Sequence, residues 1–344
     1  MAGTTQGPRR ETTIKDVAAT AGVSVATVSR VLNGSDRVDA ELAARVHDAV
    51  ERLGYRRSGL ARSLRSRRAR VVGLVISDIR NPFFTDVVRG VEDRVGADGY
   101  SLVLCNSDEE LAKEADYLDL IVEERMAGAI VSPASSRDTR LDALTARGTP
   151  VVVIDREAAR EAVDTVLVDN VRGGSIAVHH LAENGYRRIA CVTGPPRTST
   201  GADRLAGWEQ GLREAGLPVA DSLFRHADFK ESGGHAAAAD LLAGPDRPDA
   251  FFVANNLMTV GVLAALREAG LEVPGDVGVV GFDDMPWARL LRPALTTVAQ
   301  PTYELGRQAA TLLEERIQGA DSPPRRVVLE PRLEVRESAL GKGR

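Results

Sequence analysis

The chain is 344 residues long, 43% hydrophobic and 27% charged, which leaves room for two or three domains with a sizeable core. No apolar run approaches the ~20 residues that span a bilayer, and the opening MAGTTQGPRRETTIKD lacks a secretory apolar stretch, so a cytoplasmic protein with no membrane partner is expected. The net charge of −5 is uneven: residues 1–70 hold 14 Lys and Arg against 7 Asp and Glu, so a head of +7 sits on a body of −12, and such a head predicts a polyanionic partner.

Residues 1–12 carry no pattern and are read as a disordered N-terminus. Thr13-Ile14-Lys15-Asp16 then reads as a helix start, with Thr13 as cap and Asp16 at the positive end of the dipole. Val17, Ala18 and Ala21 form its apolar face, and Gly22 breaks it. Ser24 caps a second helix that Gly34 closes. On it Val28, Val31 and Leu32 face inward, whereas Val25, Ala26, Ser29, Arg30 and Asn33 face outward. A third helix over 39–53 repeats Leu42, Val46, Ala49 and Leu53 at helical spacing and ends at Gly54. Two short helices joined through a glycine turn make a helix-turn-helix. Arg30 suits the O6/N7 edge of guanine, and Val25 and Ala26 suit thymine methyls in the major groove. The rival reading is a three-helix domain with no DNA role.

The stretch 54–70, GYRRSGLARSLRSRRAR, weighs against that rival. It holds seven Arg and no acid, with Leu60, Ala61 and Leu64 on one face of a short helix. Arginines hold phosphates while an apolar wedge opens a base step from the minor groove. So short a helix is marginal in water and is expected to order only when two copies pair on DNA.

From residue 71 short apolar strands alternate with helices. Strands are read at 71–77, 101–106, 128–133, 150–155, 188–194, 250–255 and 277–283, and helices at 84–96, 109–125, 175–185, 203–216, 233–243 and 258–270. This alternation predicts parallel, doubly wound sheets, and the number of elements predicts two lobes, with the chain recrossing after Val298. Ligands in such sheets lie past the strand C-termini. The residues there include Asn81, Phe83, Phe84, Asp155, Arg156, Arg204, Phe229, Asn255, Asn256, Asp283, Asp284 and Gln300. Fork-shaped donors, carboxylates, amides and aromatic faces together are what a sugar requires. Each residue also has a structural reading as a cap or as core.

Three segments, TIKDVAATAGVSVATVSRVLNG, GYRRSGLARSL and VVGLVISD, resemble the lactose-repressor (LacI/GalR) family, and the resemblance runs from Thr13 to about Ser338. It implies a multidomain fold: an all-α helix-turn-helix headpiece and an α/β periplasmic-binding-protein-like core of two doubly wound parallel-sheet lobes. The implied domains are 13–55 for the headpiece, 56–70 for a hinge helix, 71–168 with 298–325 for the first lobe, and 169–297 with 326–338 for the second. It further implies a DNA-binding set of Thr13, Ser24, Val25, Ala26, Thr27, Ser29, Arg30, Asn33 and Tyr55, with Ala61, Leu64 and Arg65 toward the minor groove. Val25 stands where many members have a polar residue, so methyl contact is expected there. Ribose-binding relatives of the core show NPFF, IDR, GFD and AQ, matched here by Asn81, Phe83, Phe84, Asp155, Arg156, Asp283 and Gln300, with Arg204, Phe229 and Asn255 completing the set. Asn256 replaces the usual Asp of the N-D pair.

The implied function is a homodimeric repressor of carbohydrate genes that binds double-stranded operator DNA under control of a small sugar, a pentose such as ribose. The alternatives are a sugar-binding protein without gene regulation and a regulator of nucleobase or sugar-phosphate response. No enzyme, metal or cofactor is expected: GxGxxG after the first strand, GxxxxGK[ST], HExxH and GxSxG are absent, Cys105 and Cys191 lack metal or redox spacing, and adjacent His179 and His180 point to different helix faces.

Overall fold

The computed structural model describes residues 12–32, 38–55, 69–158 and 162–341. They fall into two units, Met1–Ala69 and Arg70–Arg344. In the first, α1 (Ile14–Ala21), α2 (Val25–Leu32) and α3 (Ala40–Leu53) enclose a small core of Val17, Ala18, Ala21, Val28, Val31, Val46 and Ala49. The Asp16 carboxylate accepts both the backbone N–H and the hydroxyl of Thr13, each at 2.7 Å. Gly22 and Gly54 take the left-handed conformation that ends α1 and α3. Arg45 of α3 donates to the carbonyl of Ala21 at 2.6 Å and so binds the two helices together. Thr12, read as part of the disordered arm, instead donates its hydroxyl to Leu53 O at 3.3 Å.

The second unit holds two six-stranded sheets with one repeated plan. The first runs β11-β5-β4-β3-β1-β2 and the second β12-β10-β9-β8-β6-β7. Their ranges are β1 Val71–Ile76, β2 Ser101–Asn106, β3 Gly128–Val131, β4 Val151–Ile154, β5 Asp164–Val168 and β11 Arg326–Leu329, then β6 Ile189–Thr193, β7 Phe224–His226, β8 Ala250–Val253, β9 Gly278–Phe282, β10 Thr296–Ala299 and β12 Arg332–Glu334. The central strands are Val- and Ile-rich and buried along their length, as helices on both faces require. Helices α4 (Phe83–Ala97), α5 (Leu111–Glu123) and α10 (Thr302–Ile317) cover the first sheet. Helices α6 (Asn170–Glu183), α7 (Ser199–Glu214), α8 (Glu231–Ala243) and α9 (Asn256–Glu268) cover the second. Where α4 meets α10, a Cβ on Gly90 would stand 2.1 Å from Tyr303 O, and one on Gly306 the same distance from Val87 O, so only glycine allows the approach.

Several expectations need correction. Strands β5, β7, β10, β11 and β12 lie outside the strands expected from the sequence: all are short, and all but β10 carry Asp, Arg, His or Glu. Strand β12 runs antiparallel to β10, so the second sheet is not wholly parallel. The lobe boundaries also move. Val298 and Ala299 belong to β10 in the second sheet, and residues 326–329 pair with β5 in the first. The chain therefore changes lobe after β5, after β10 and after β11, and the first and third crossings touch where Asp169 N–H bonds Leu329 O at 2.9 Å. The hinge helix and the residues Asn33, Ala61, Leu64 and Arg65 lie outside the described residues.

Candidate functional site

In the headpiece the outward face of α2 carries exposed Val25, Ala26 and Arg30, with Thr27 and Ser29 half-buried beside them. Ser24 accepts the Thr27 N–H at 3.1 Å and exchanges a hydroxyl bond with it at 2.9 Å, so it caps α2 and aims that turn outward. Tyr55 is half-buried against the headpiece core. The face presented is thus small, largely apolar and basic at one point, the shape a major groove admits.

In the core, ten of the twelve residues read at the strand C-termini line one cleft between the lobes, while Asn256 and Asp284 stand outside its lining. The topology explains the convergence. In each sheet the first strand stands between its second and third, so the loops after β1 and β6 diverge there and open a crevice. Asp155 ends β4, Asp283 ends β9, and Phe229 follows β7; all three adopt left-handed backbone, φ 64°, 75° and 63°. Such conformations cost about 1–3 kcal/mol each for residues with a side chain and persist only where surrounding contacts impose them. Here the turn swings each side chain out of the sheet and into the cleft. Gly194 makes room for Phe229, whose ring would lie 1.9 Å from a Cβ at that position.

The charges are arranged around two guanidiniums. Arg204 donates Nε to Asn170 Oδ1 at 2.8 Å and Nη1 to Ala254 O at 2.6 Å, and lies 3.7 Å from the centre of the Phe282 ring. Burial lowers its pKa, partly offset by the charges of Asp283 and Asp155. Those two carboxyls are pushed above the usual carboxylate range by burial, against the pull of Arg156 and Arg204 on Asp155 and of Arg204 on Asp283. Asp283 accepts Gln300 Nε2 at 2.5 Å and the Asn256 N–H at 3.3 Å; Asp155 accepts the Ser132 hydroxyl at 3.2 Å. Arg156 is paired with Glu109 through both terminal nitrogens, each at 2.7 Å. Burial opposes its charge, but Glu109 and Asp155 outweigh that and raise its pKa. Neither arginine therefore offers the open fork that the sequence reading assigned to it.

The amides divide as well. Asn255 caps α9 by accepting the Met258 N–H at 2.8 Å and donates to Phe229 O at 3.0 Å, so the protein engages both ends of its amide. Asn81 Oδ1 accepts the Phe83 N–H at 2.9 Å and, from the opposite lobe, Asn256 Nδ2 at 2.8 Å. Phe83 and Phe84 meet edge to face at 4.9 Å and form the apolar wall.

Residues 13–58 match the family model described as bacterial regulatory proteins, lacI family, and residues 178–339 match that of a periplasmic binding protein-like domain. The chain is 37% identical to the ribose operon repressor of Escherichia coli K12, covering 95% of this chain and 99% of that protein. It is 35% identical to the transcriptional repressor PurR of Photobacterium profundum, over 95% and 98% of the two chains. The chain belongs to the lacI family of bacterial regulatory proteins. It is a DNA-binding transcription regulator and not an enzyme. Among solved structures it resembles the lac repressor dimer bound to operator and an anti-inducer, with a TM-score of 0.86 at 27% identity over 96% of this chain and 100% of that one. The helix-turn-helix followed by a two-lobed α/β core is the architecture of that repressor.

Sequence reasoning about this lacI-family chain missed four cleft residues: Asp78, Glu109, Thr200 and Leu257. Asp78 lies two residues past the end of β1, where the strand-end rule points, just before the more distinctive NPFF. Thr200 sits in the first turn of α7, which the periodicity began only at residue 203. Among the described residues no helix is long and apolar enough to cross a membrane.

Proposed function

We propose that this regulator is a cytoplasmic, homodimeric repressor of carbohydrate-related genes. Val25, Ala26 and Arg30 read the major groove of a pseudo-palindromic operator, and Leu64 with Arg65 enters its minor groove. A small sugar, a pentose such as ribose, occupies the cleft and changes operator affinity through its unequal affinity for two arrangements of the lobes. One observation carries the reading. Residues scattered from Asn81 to Gln300 converge on a single crevice whose carboxylates, amides and aromatic walls match vicinal hydroxyls and an apolar sugar face. The 37% identity to a ribose operon repressor supports the pentose.

A thermal-shift screen of the full chain against pentoses, hexoses, their phosphates and nucleobases tests it, because a bound ligand raises the melting temperature by mass action. A pentose is expected to give the largest rise and to alter the salt-dependent binding of an operator duplex. Stabilisation by a nucleobase alone would replace the sugar reading, and no preference for any duplex would remove the operator reading.

A further inference from the structure

This inference rests on the sugar reading and concerns what kind of sugar the cleft admits. The cleft wall carries the carboxylates of Asp78, Glu109, Asp155 and Asp283 against the guanidiniums of Arg156 and Arg204. Asp78 is neutralised by Arg80 at 3.2 Å. Arg156 and Glu109 have side chains 5% and 10% exposed and form a buried end-on pair, and Arg156 Nη1 also donates to Pro133 O at 3.0 Å. The remaining nitrogen, Nε, is buried, makes no hydrogen bond among the described residues and faces the Asp155 carboxylate at 3.6 Å. Glu109 and its neighbour Asp108 both hold left-handed backbone, φ 64° and 53°, so the loop after β2 is bent to bring this carboxylate to the guanidinium.

Capture of a phosphate or carboxylate group uses two parallel N–H bonds and an uncompensated positive charge. Glu109 removes both from Arg156. We propose that Glu109 is the positioning residue that sets effector class: by closing the Arg156 fork and cancelling its charge it excludes phosphorylated and carboxylated sugars. The expected effector is an uncharged sugar, and the discrimination comes from a residue that acts through Arg156.

The test measures the affinity of the full-length protein for ribose and ribose 5-phosphate by calorimetry, in the wild type, in Glu109→Gln and in Glu109→Gln/Arg156→Met. The wild type is expected to favour ribose by about tenfold or more, since an added anion meets an excess of carboxylates. Glu109→Gln should raise ribose 5-phosphate affinity by about tenfold relative to ribose, and the double variant should lose that gain. A general loosening of the cleft would weaken both ligands together and leave their ratio fixed. An unchanged ratio in Glu109→Gln with ribose still bound overturns the inference and leaves the sugar reading intact. So does a wild type that takes both ligands equally, a result independent of whether the variants fold. Binding of neither ligand overturns the sugar reading and this inference with it.

Discussion

Replacing Arg204 by methionine removes a guanidinium that is 4% exposed and keeps most of its volume. Two hydrogen bonds to a charged donor are lost, to Asn170 and Ala254 O, each worth about 1.5–3 kcal/mol. So is a cation–π contact at 3.7 Å, worth about 1–2 kcal/mol. Against this stands the desolvation cost that already lowers the Arg204 pKa. The net for removing one member of a buried charge network is about 3–5 kcal/mol. For a unit of this size that lowers the melting temperature by roughly 10 °C. The pH dependence has a definite sign. Asp155 and Asp283 titrate above their ordinary 3.8, so the stability they contribute is full below that value and is lost as pH rises through their folded values. Without Arg204 both are raised further, so the gap to wild type is wider at an assay pH of about 8 than at about 5. Effector affinity falls by about 10- to 100-fold, because the charge facing both carboxylates is gone. Scanning fluorimetry at the two pH values, with and without effector, measures all three effects. A variant melting within about 2 °C of wild type at both pH values refutes the reasoning.

Two further outcomes follow from the same chemistry. Arg30→Ala should weaken specific operator binding by about 1–3 kcal/mol while the headpiece melts as before, since Arg30 is exposed on α2; gel-shift titration at fixed salt reads this, and equal loss on unrelated duplexes would make the contact a phosphate one. Glu314 on α10 is paired with Arg94 of α4 and raised by burial to about 7 from 4.5, so its stabilisation is full below about pH 4.5 and lost through about pH 7. Glu314→Gln should therefore flatten the decline in stability between about pH 5 and about pH 8 by on the order of 2–3 kcal/mol, read as melting temperature against pH.

What the sequence made legible follows the strength of its local signals. The headpiece could be read almost residue by residue, because Thr13, Ser24, Gly22 and Gly54 each perform a cap or stop that depends on near neighbours. The cleft could be read because a simple rule locates ligands past strand ends, and ten such residues share one crevice. The roles of its arginines could not. Whether a guanidinium faces a ligand or a carboxylate 47 residues away, as Arg156 faces Glu109, is a tertiary fact with no local trace. The lobe boundaries failed for a related reason. Strand β11 carries Arg326 and lies on a half-exposed sheet edge, so neither apolar continuity nor strict alternation marks it.

The crossings between lobes carry the cleft's own polar groups. Asn170, just past the first crossing, holds Arg204 Nε; Gln300, at the second, holds Asp283. Arg204 and Asp283 both line the cleft and attract each other electrostatically, and Asp283 is tied through the Asn256 N–H to the start of α9. Asn256 also reaches Asn81 in the opposite lobe. A ligand hydroxyl that bonded Arg204 or Asp283 would compete with these bonds at the crossings. Such a device shifts a conformational equilibrium only by the difference in ligand affinity between its two states. Residues 155, 229 and 283 are held in left-handed backbone. Their strain is offset only while the surrounding network is intact.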